Sequence, residues 1–376
     1  MIIDVHCHCA YTRVEAGTDP GGAASGGAGE RFSFEPAEEG GRPALDSAVA
    51  PRCLRRVSWG VIKRFLGVGE RLRAGARLDE ALAAFYRRHL LAAGPVERVV
   101  LLAFDAYHDD AGQRPPLPEQ RRQRGSDMWT TNSFVRQMCR RHPERFLFGA
   151  SVHPYRRNAA TCVEEVFTGG ACLLKWIPLH QNINIGDPRT IAVLRCCAAL
   201  GLPVLVHYSS EFTLATQHPE YRPVGALLEV LRTLRQQGAM PTVIVAHVAT
   251  PVTPLGEQRS HRALVRALLE EFADAPLYAD ISALTSWGKI RFLRRLARRQ
   301  DLHAKLLFGS DFPVPLALPR LRRDLGPDYA GIRSEPSWIQ RAALICRRVG
   351  FNEIVFHRAA ELLPNVDYFA RRTASA

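Results

Sequence analysis

Six polar residues close apolar runs in this chain, and their types suit one kind of chemistry. The first run, IIDVHCHC, carries His6 and His8 two positions apart. LPVLVH ends in His207, TVIVAH ends in His247, LLFGSD ends in Asp311, and ACLLKW places Lys175 next to its end. In a strand, residues i and i+2 share a face. Asp4, His6 and His8 are therefore expected to point one way, and Val5, Cys7 and Cys9 the other. Two imidazoles held close repel when protonated, and a bound cation relieves that repulsion. Imidazoles with a carboxylate suit a divalent metal of borderline softness, zinc first, in a site that keeps one position open for water. A lone buried histidine is usually a satisfied core residue. A His-x-His pair with two further strand-end histidines and an aspartate is not dismissed so simply.

Elements that could position these residues recur along the chain. Eight apolar runs cover residues 1–6, 96–104, 145–152, 171–177, 202–207, 242–247, 277–282 and 304–311. Between them lie stretches with apolar spacings of three and four. PRTIAVLRCCAALG ends on Gly201 and VGALLEVLRTLRQQG on Gly238, as helices stopped by a glycine do. Near-continuous apolar strands alternating with helices imply a parallel sheet covered on both faces. Eight such units predict an α/β (β/α)8 TIM barrel, whose active sites sit at the C-terminal strand ends. The competing open, doubly wound sheet would carry a glycine-rich phosphate turn, and neither GxGxxG nor Walker A occurs here in that context.

One segment breaks the rhythm. Residues 10–95 form a large insertion after the first strand, placed to act as a lid over the barrel mouth. Its Gly/Ala/Ser tract at 16–30 cannot form a core and is expected to be mobile. LRRVSWGVIKRFLG then lines up Leu54, Val57, Val61, Ile62, Phe65 and Leu66 on one helical face, with Arg55, Arg56 and Lys63 opposite. Arg52, Arg55 and Arg56 either recognise an anionic substrate or belong to a solvated face.

Bulk properties narrow the class. The 376 residues are 47% apolar, enough for one barrel domain over 1–376 including the insertion. No basic leader opens the chain and no apolar run reaches the ~18 residues of a membrane span, so a cytoplasmic protein with no membrane partner is expected. The nine cysteines are odd in number and form no CxxC pair, which reads as reduced, buried thiols. The formal net charge is +13, with arginine concentrated in RFLRRLARRQ and LPRLRRDLG. No RNA-binding signature or zinc-finger spacing accompanies it, so no nucleic-acid partner is expected and the arginines read as a solvated surface.

The DxHxH start, His207, His247 and LLFGSDFPVP together resemble the amidohydrolase superfamily. The similarity is greatest to the amidohydrolase-related branch that contains aminocarboxymuconate-semialdehyde decarboxylase and resorcylate-type decarboxylases. It runs from residue 1 to about VFHRAAELLPN and is weakest in the insertion. The resemblance implies that His6, His8, His207 and Asp311 bind one divalent metal, and that His247 is a catalytic or ligand histidine. It implies a small-molecule substrate, and barrels of this family often pair as homodimers. Lys175 departs from the single-metal decarboxylases. In binuclear relatives such a lysine is carboxylated and bridges two ions; otherwise it binds a substrate carboxylate or pairs with Asp311. His153 in GASVHPY and His180 in WIPLHQN are candidate substrate contacts or supports. Three functions follow as expectations: metal-dependent hydrolysis of an amide, lactone or ester, with Asp311 moving the proton; non-oxidative decarboxylation at the same site; or an inactive barrel that binds anionic partners.

Overall fold

A computed structural model describes residues 1–20, 30–55, 59–60, 63–64, 67, 75–210, 213–253 and 256–374. Eight parallel strands follow one another in chain order: β1 (Ile3–His8), β2 (Arg98–Leu102), β3 (Phe146–Ala150), β4 (Ala171–Trp176), β5 (Val204–Val206), β6 (Val243–Val245), β7 (Leu277–Asp280) and β8 (Leu306–Leu307). β1 closes on the β8 end through Val5 N to Phe308 O at 3.2 Å and His8 N to Phe312 O at 2.8 Å. The result is the TIM barrel that the alternating pattern predicts.

Helices α1 (Ala76–Leu90), α2 (Asn132–Arg141), α3 (Ala159–Thr168), α4 (Pro188–Leu200), α5 (Gly225–Gln236), α6 (Arg259–Leu269), α7 (Ile290–Ala297), α8 (Trp338–Val349) and α9 (Glu353–Leu362) accompany the strands. α4 illustrates why such segments are helical. Asp187 accepts a hydrogen bond from Arg189 N, Pro188 occupies the first turn, and Gly201 at φ 64° closes the end. Gly201 has the left-handed backbone that L side chains resist.

Two apolar layers hold the barrel. Ile3, Val5, Val100, Leu102, Leu147, Leu173, Leu205, Ile244 and Leu307 cluster in its lumen. Alternate residues such as Val99, Leu101, Phe148, Leu174, Val204 and Val243 face the helices. Burying each such side chain contributes roughly 1.5–3 kcal/mol.

β1 departs from simple alternation. Its register against β2 shifts between Asp4 and Cys7. Ile3 and Val5 therefore face the lumen, and the shift brings His6 inward as well. Asp4, expected to share the face of His6 and His8, instead accepts from Ser310 N at 2.9 Å and from Cys7 Sγ at 3.1 Å. It braces the seam between β1 and β8. None of the nine cysteines forms a disulfide, and only Cys196 is not buried.

Within the insertion, the strands Arg13–Glu15 and Leu45–Val49 join Met128–Thr130 in an antiparallel sheet. Asp79 of α1 ties this sheet down by accepting from Thr12 N and Arg13 N. Glu35 accepts from the first amides of α2, Asn132 N and Ser133 N, both at 2.8 Å. Most of the expected mobile tract, and Arg56, Val57, Val61, Ile62, Phe65 and Leu66 of the amphipathic stretch, lie outside the described residues.

The lumen leaves no room at Gly149, where a Cβ would stand 2.6 Å from Leu102 Cδ2 and 2.8 Å from Val100 Cγ1. Gly149→Ala is expected to cost about 1–3 kcal/mol by overpacking. A urea titration should show a lower midpoint with an unchanged slope; an unmoved midpoint would mean that the lumen is loosely filled.

Candidate metal centre

The strand ends converge on one cavity of about 650 Å³, lined by His6, His8, Lys175, His207, His247 and Asp311. Its remaining walls are mostly apolar and include Val49, Trp59, Leu82 and Tyr86 from the insertion, with Phe104, Ile177 and Leu214 from the barrel loops. The described part of the insertion is thus a wall of the cavity.

The donor atoms fit one ion. Asp311 Oδ1 lies 3.4 Å from His6 Nε2 and 3.4 Å from His8 Nε2. Ligands at 2.0–2.2 Å from a tetrahedral ion stand about 3.4 Å from one another. His6, His8 and Asp311 therefore have the chemistry and the spacing of a three-donor divalent site. The other Asp311 oxygen, Oδ2, faces His247 Nε2 at 3.7 Å. His207 stands further out: its ring packs on the edge of His247 with centroids 5.1 Å apart, and its Nε2 is 3.4 Å from Ser210 O.

A residue passed over in the sequence organises these rings. Asp280, fully buried at the end of β7, accepts from His6 Nδ1 at 2.8 Å and from His247 N at 2.8 Å. It also takes the Ser282 amide at 3.0 Å and the Ser282 hydroxyl. A carboxylate on Nδ1 fixes the His6 tautomer and leaves the Nε2 lone pair toward the cavity. The strand LYADIS ends in an aspartate just as LLFGSD does, so the strand-end rule could have found Asp280.

Electrostatics favour neutral rings beside charged carboxylates. Burial lowers the pKa of His6, and Lys175 lowers it further, against the pull of Asp280. Burial and then Lys289 push His247 well below the usual imidazole value. Burial alone would raise Asp311, but His6, His8 and Lys175 outweigh it and hold that carboxyl at about 2. Asp280 is likewise depressed, because its electrostatic attraction to His6 and the hydrogen bond from that ring overcome its burial. Neutral imidazole and ionised carboxylate are the forms that ligate metals.

Backbone strain marks the same place. His247, Val248 and Ala249 have φ of 55°, 50° and 49°, and Asp311 has φ 61°. Left-handed backbone is unfavourable for non-glycine residues and persists only where the surroundings impose it. Here Asp280 holds His247 N, His261 Nδ1 holds Val248 O at 2.8 Å, and Asp311 N donates to His6 O at 2.9 Å. Gly309 lets β8 approach closely; a Cβ there would be 3.1 Å from both His6 Cβ and Ser282 Cβ.

Lys175 is buried in the site, its Nζ 3.0 Å from His6 Nε2. His153 and His180 are not brought to the cavity. His153 Nε2 is 2.7 Å from Gln181 O, and its Nδ1 accepts from Tyr155 N at 3.0 Å, so both ring nitrogens are committed. His180 Nδ1 meets Ala215 O at 3.0 Å, and its Nε2 accepts from Asp127 N at 3.2 Å. Both rings join loops behind the cavity wall in place of the expected substrate contacts. Arg52 is neither solvated nor aimed at a ligand: it is buried and pairs with Asp127 at 2.5 Å. Arg55 is exposed and donates to Glu119 O.

A parallel barrel with imidazoles and a carboxylate gathered at its strand ends is the frame of a metal-dependent barrel enzyme. Residues 3–325 match the amidohydrolase family model, and the chain belongs to that family. Among curated proteins, no sequence matches it significantly. Of the solved structures, an uncharacterised TIM-barrel protein from Bordetella bronchiseptica is 15% identical, with a TM-score of 0.48 over 93% of this chain and 99% of that one. A probable 2-pyrone-4,6-dicarboxylic acid hydrolase from Acinetobacter baumannii, with citric acid bound, is 14% identical, with a TM-score of 0.44 over 94% and 98%. A 2,6-dihydroxybenzoate decarboxylase from Rhizobium is 12% identical, with a TM-score of 0.40 over 69% of this chain and 85% of that one.

Asp280→Asn keeps the shape of the side chain and removes the charge behind both histidines. Divalent metal affinity is expected to fall 10–100-fold with the fold retained. Zinc titration against a competing chelator, with circular dichroism as the control, measures this; unchanged affinity would show that Asp280 does not support the ligands.

Proposed function

We propose that this chain is a metal-dependent hydrolase that activates water for attack on an amide, lactone or ester carbon. The observation that carries the reading is the split of Asp311, with Oδ1 toward His6 and His8 and Oδ2 toward His247. His6, His8 and Asp311 would hold one divalent ion, zinc first, with His207 as a further ligand. When bound, such an ion supplies Lewis acidity, which makes water nucleophilic near neutral pH and polarises a substrate oxygen.

The chain's own groups handle the proton. Ser282 O, an acceptor only, lies 3.0 Å from His247 Nδ1, so Nδ1 carries the hydrogen and Nε2 is bare. Asp311 Oδ2 and His247 Nε2 then present two proton acceptors on one side of the site. Asp311 takes the proton of the attacking water and returns it to the leaving group, and His247 shares it in between. Stabilisation of an oxyanion by His247 would require that ring to be protonated first. The apolar walls exclude competing water.

A second reading is favoured by the cations of the cavity. Lys175 and Lys289 both line it, between mostly apolar surfaces. That pairing suits an acid with an apolar body, and loss of CO₂ from such an acid could replace attack by water. Lys175 Nζ reaches the same His6 Nε2 lone pair that an ion would take. With an ion on His6 Nε2, Lys175 would turn toward substrate, or its neutral amine would add CO₂ and lose a proton to give a carbamate that could hold a second ion.

Replacing His6 and His8 together with alanine should remove the bound metal by elemental analysis; one equivalent retained would overturn the ligand assignment. Asp311→Asn should lower kcat by at least the ~10²–10⁴-fold of a lost general acid–base. A panel of lactones, amides and aromatic acids, read for acid release and for CO₂, separates the two reactions. Lys175→Met should leave one ion per chain if the site is mononuclear. Loss of one of two ions, restored in part by short carboxylic acids, would establish the bridging carbamate.

A further inference from the structure

The arginine-rich segments have an organisation that a merely solvated surface does not require. α7 buries Ile290, Phe292, Leu293, Leu296 and Ala297. At 100° per residue, Arg291, Arg294, Arg295 and, just past its end, Arg298 fall within one stripe about 100° wide on the opposite side. Among the described residues, only Arg294 of these meets a carboxylate, Asp324 at 2.8 Å. It also donates to Arg320 O at 3.2 Å, which sets the turn Leu318–Leu321 and the short helix Arg322–Leu325 beside the stripe. Those elements add the exposed Arg320, Arg322 and Arg323. Among the described residues, none of these three, nor Arg291, Arg295 or Arg298, takes part in an ion pair.

This basic face adjoins the cavity mouth. Trp287 lines the cavity, yet it is 46% exposed, among the few large apolar side chains so placed. The Arg320 guanidinium lies 5.2 Å from its ring centre. Trp287 thus links the cavity to Arg320, whose carbonyl meets Arg294 of the stripe.

We infer that this face seats the cavity mouth on an anionic membrane surface, with Trp287 in the interface and the arginines against lipid phosphates. Charge complementarity supplies the attraction, since clusters of four to eight basic residues are held by anionic lipid. Tryptophan favours the boundary between apolar and wet phases, and arginine stems lie along apolar surface while their heads stay in the polar layer. Duplex nucleic acid, its bases already stacked, would use the same arginines and leave the exposed tryptophan without a role. Among the described residues, no helix is long and apolar enough to cross a bilayer, so the protein would lie on the membrane and not span it. A mostly apolar cavity opening there could take a lipophilic substrate directly from the bilayer. The docking depends neither on the metal nor on the reaction.

Co-sedimentation tests it with vesicles of phosphatidylcholine alone and of phosphatidylcholine mixed with phosphatidylglycerol. Binding is expected to the anionic vesicles only, and to weaken as salt is raised. The Arg291→Gln/Arg295→Gln/Arg298→Gln variant should lose on the order of 100-fold in affinity, at about fivefold per arginine. Its circular dichroism and metal content should be unchanged. The tryptophan emission should shift to the blue on anionic vesicles, and Trp287→Phe should abolish that shift. Absence of vesicle binding, equal binding to both vesicles, an unaffected triple variant, or binding to duplex DNA without vesicle binding would each overturn the inference.

Discussion

The site depends on one buried carboxylate. Asp280 sits with no solvent contact, and such a charge is tolerated only where donors surround it. It gathers His6 Nδ1, the His247 amide, the Ser282 amide and the Ser282 hydroxyl. These contacts orient the His6 ring and pin the left-handed turn that carries His247. With the His6 ring held by Asp280 and the His247 ring by Ser282 O, their Nε2 atoms address the two oxygens of Asp311. Asp280 thus acts on His6 directly and on His247 through its backbone and the neighbouring Ser282.

The barrel supplies the rigidity that this arrangement needs. β1 and β8 meet at a tight seam: Asp4 braces Ser310, Asp311 N bonds His6 O, and Gly309 admits the approach. Beneath it the lumen is filled by aliphatic side chains from every quadrant of the sheet. Displacing any strand would move a ligand by a fraction of an ångström, which is enough to disturb metal geometry.

The insertion shapes the cavity in a different way. Buried Arg52 pairs with Asp127, and Asp127 in turn receives Ala215 N from the loop after β5. This chain of contacts fastens the insertion to two barrel loops and keeps the Asp127 charge occupied within the protein. The cavity is left with mostly apolar walls, two lysines, four imidazoles and the carboxylate of Asp311 as its chemical character.

The sequence by itself determined the barrel and most of the residues at its mouth. Strand periodicity, glycine stops and polar strand ends are local properties, and they place His6, His8, Lys175, His207, His247 and Asp311 without reference to any partner. Only the tertiary structure decided which way those residues turn and what each one touches. The register shift in β1 overrode the alternation that paired Asp4 with His6. His153 and His180 look like site residues by their place in the chain, yet their ring nitrogens are taken up by Gln181, Tyr155, Ala215 and Asp127. Asp280 meets His6 across 274 residues. A contact of that kind arises from barrel closure, which no local spacing encodes.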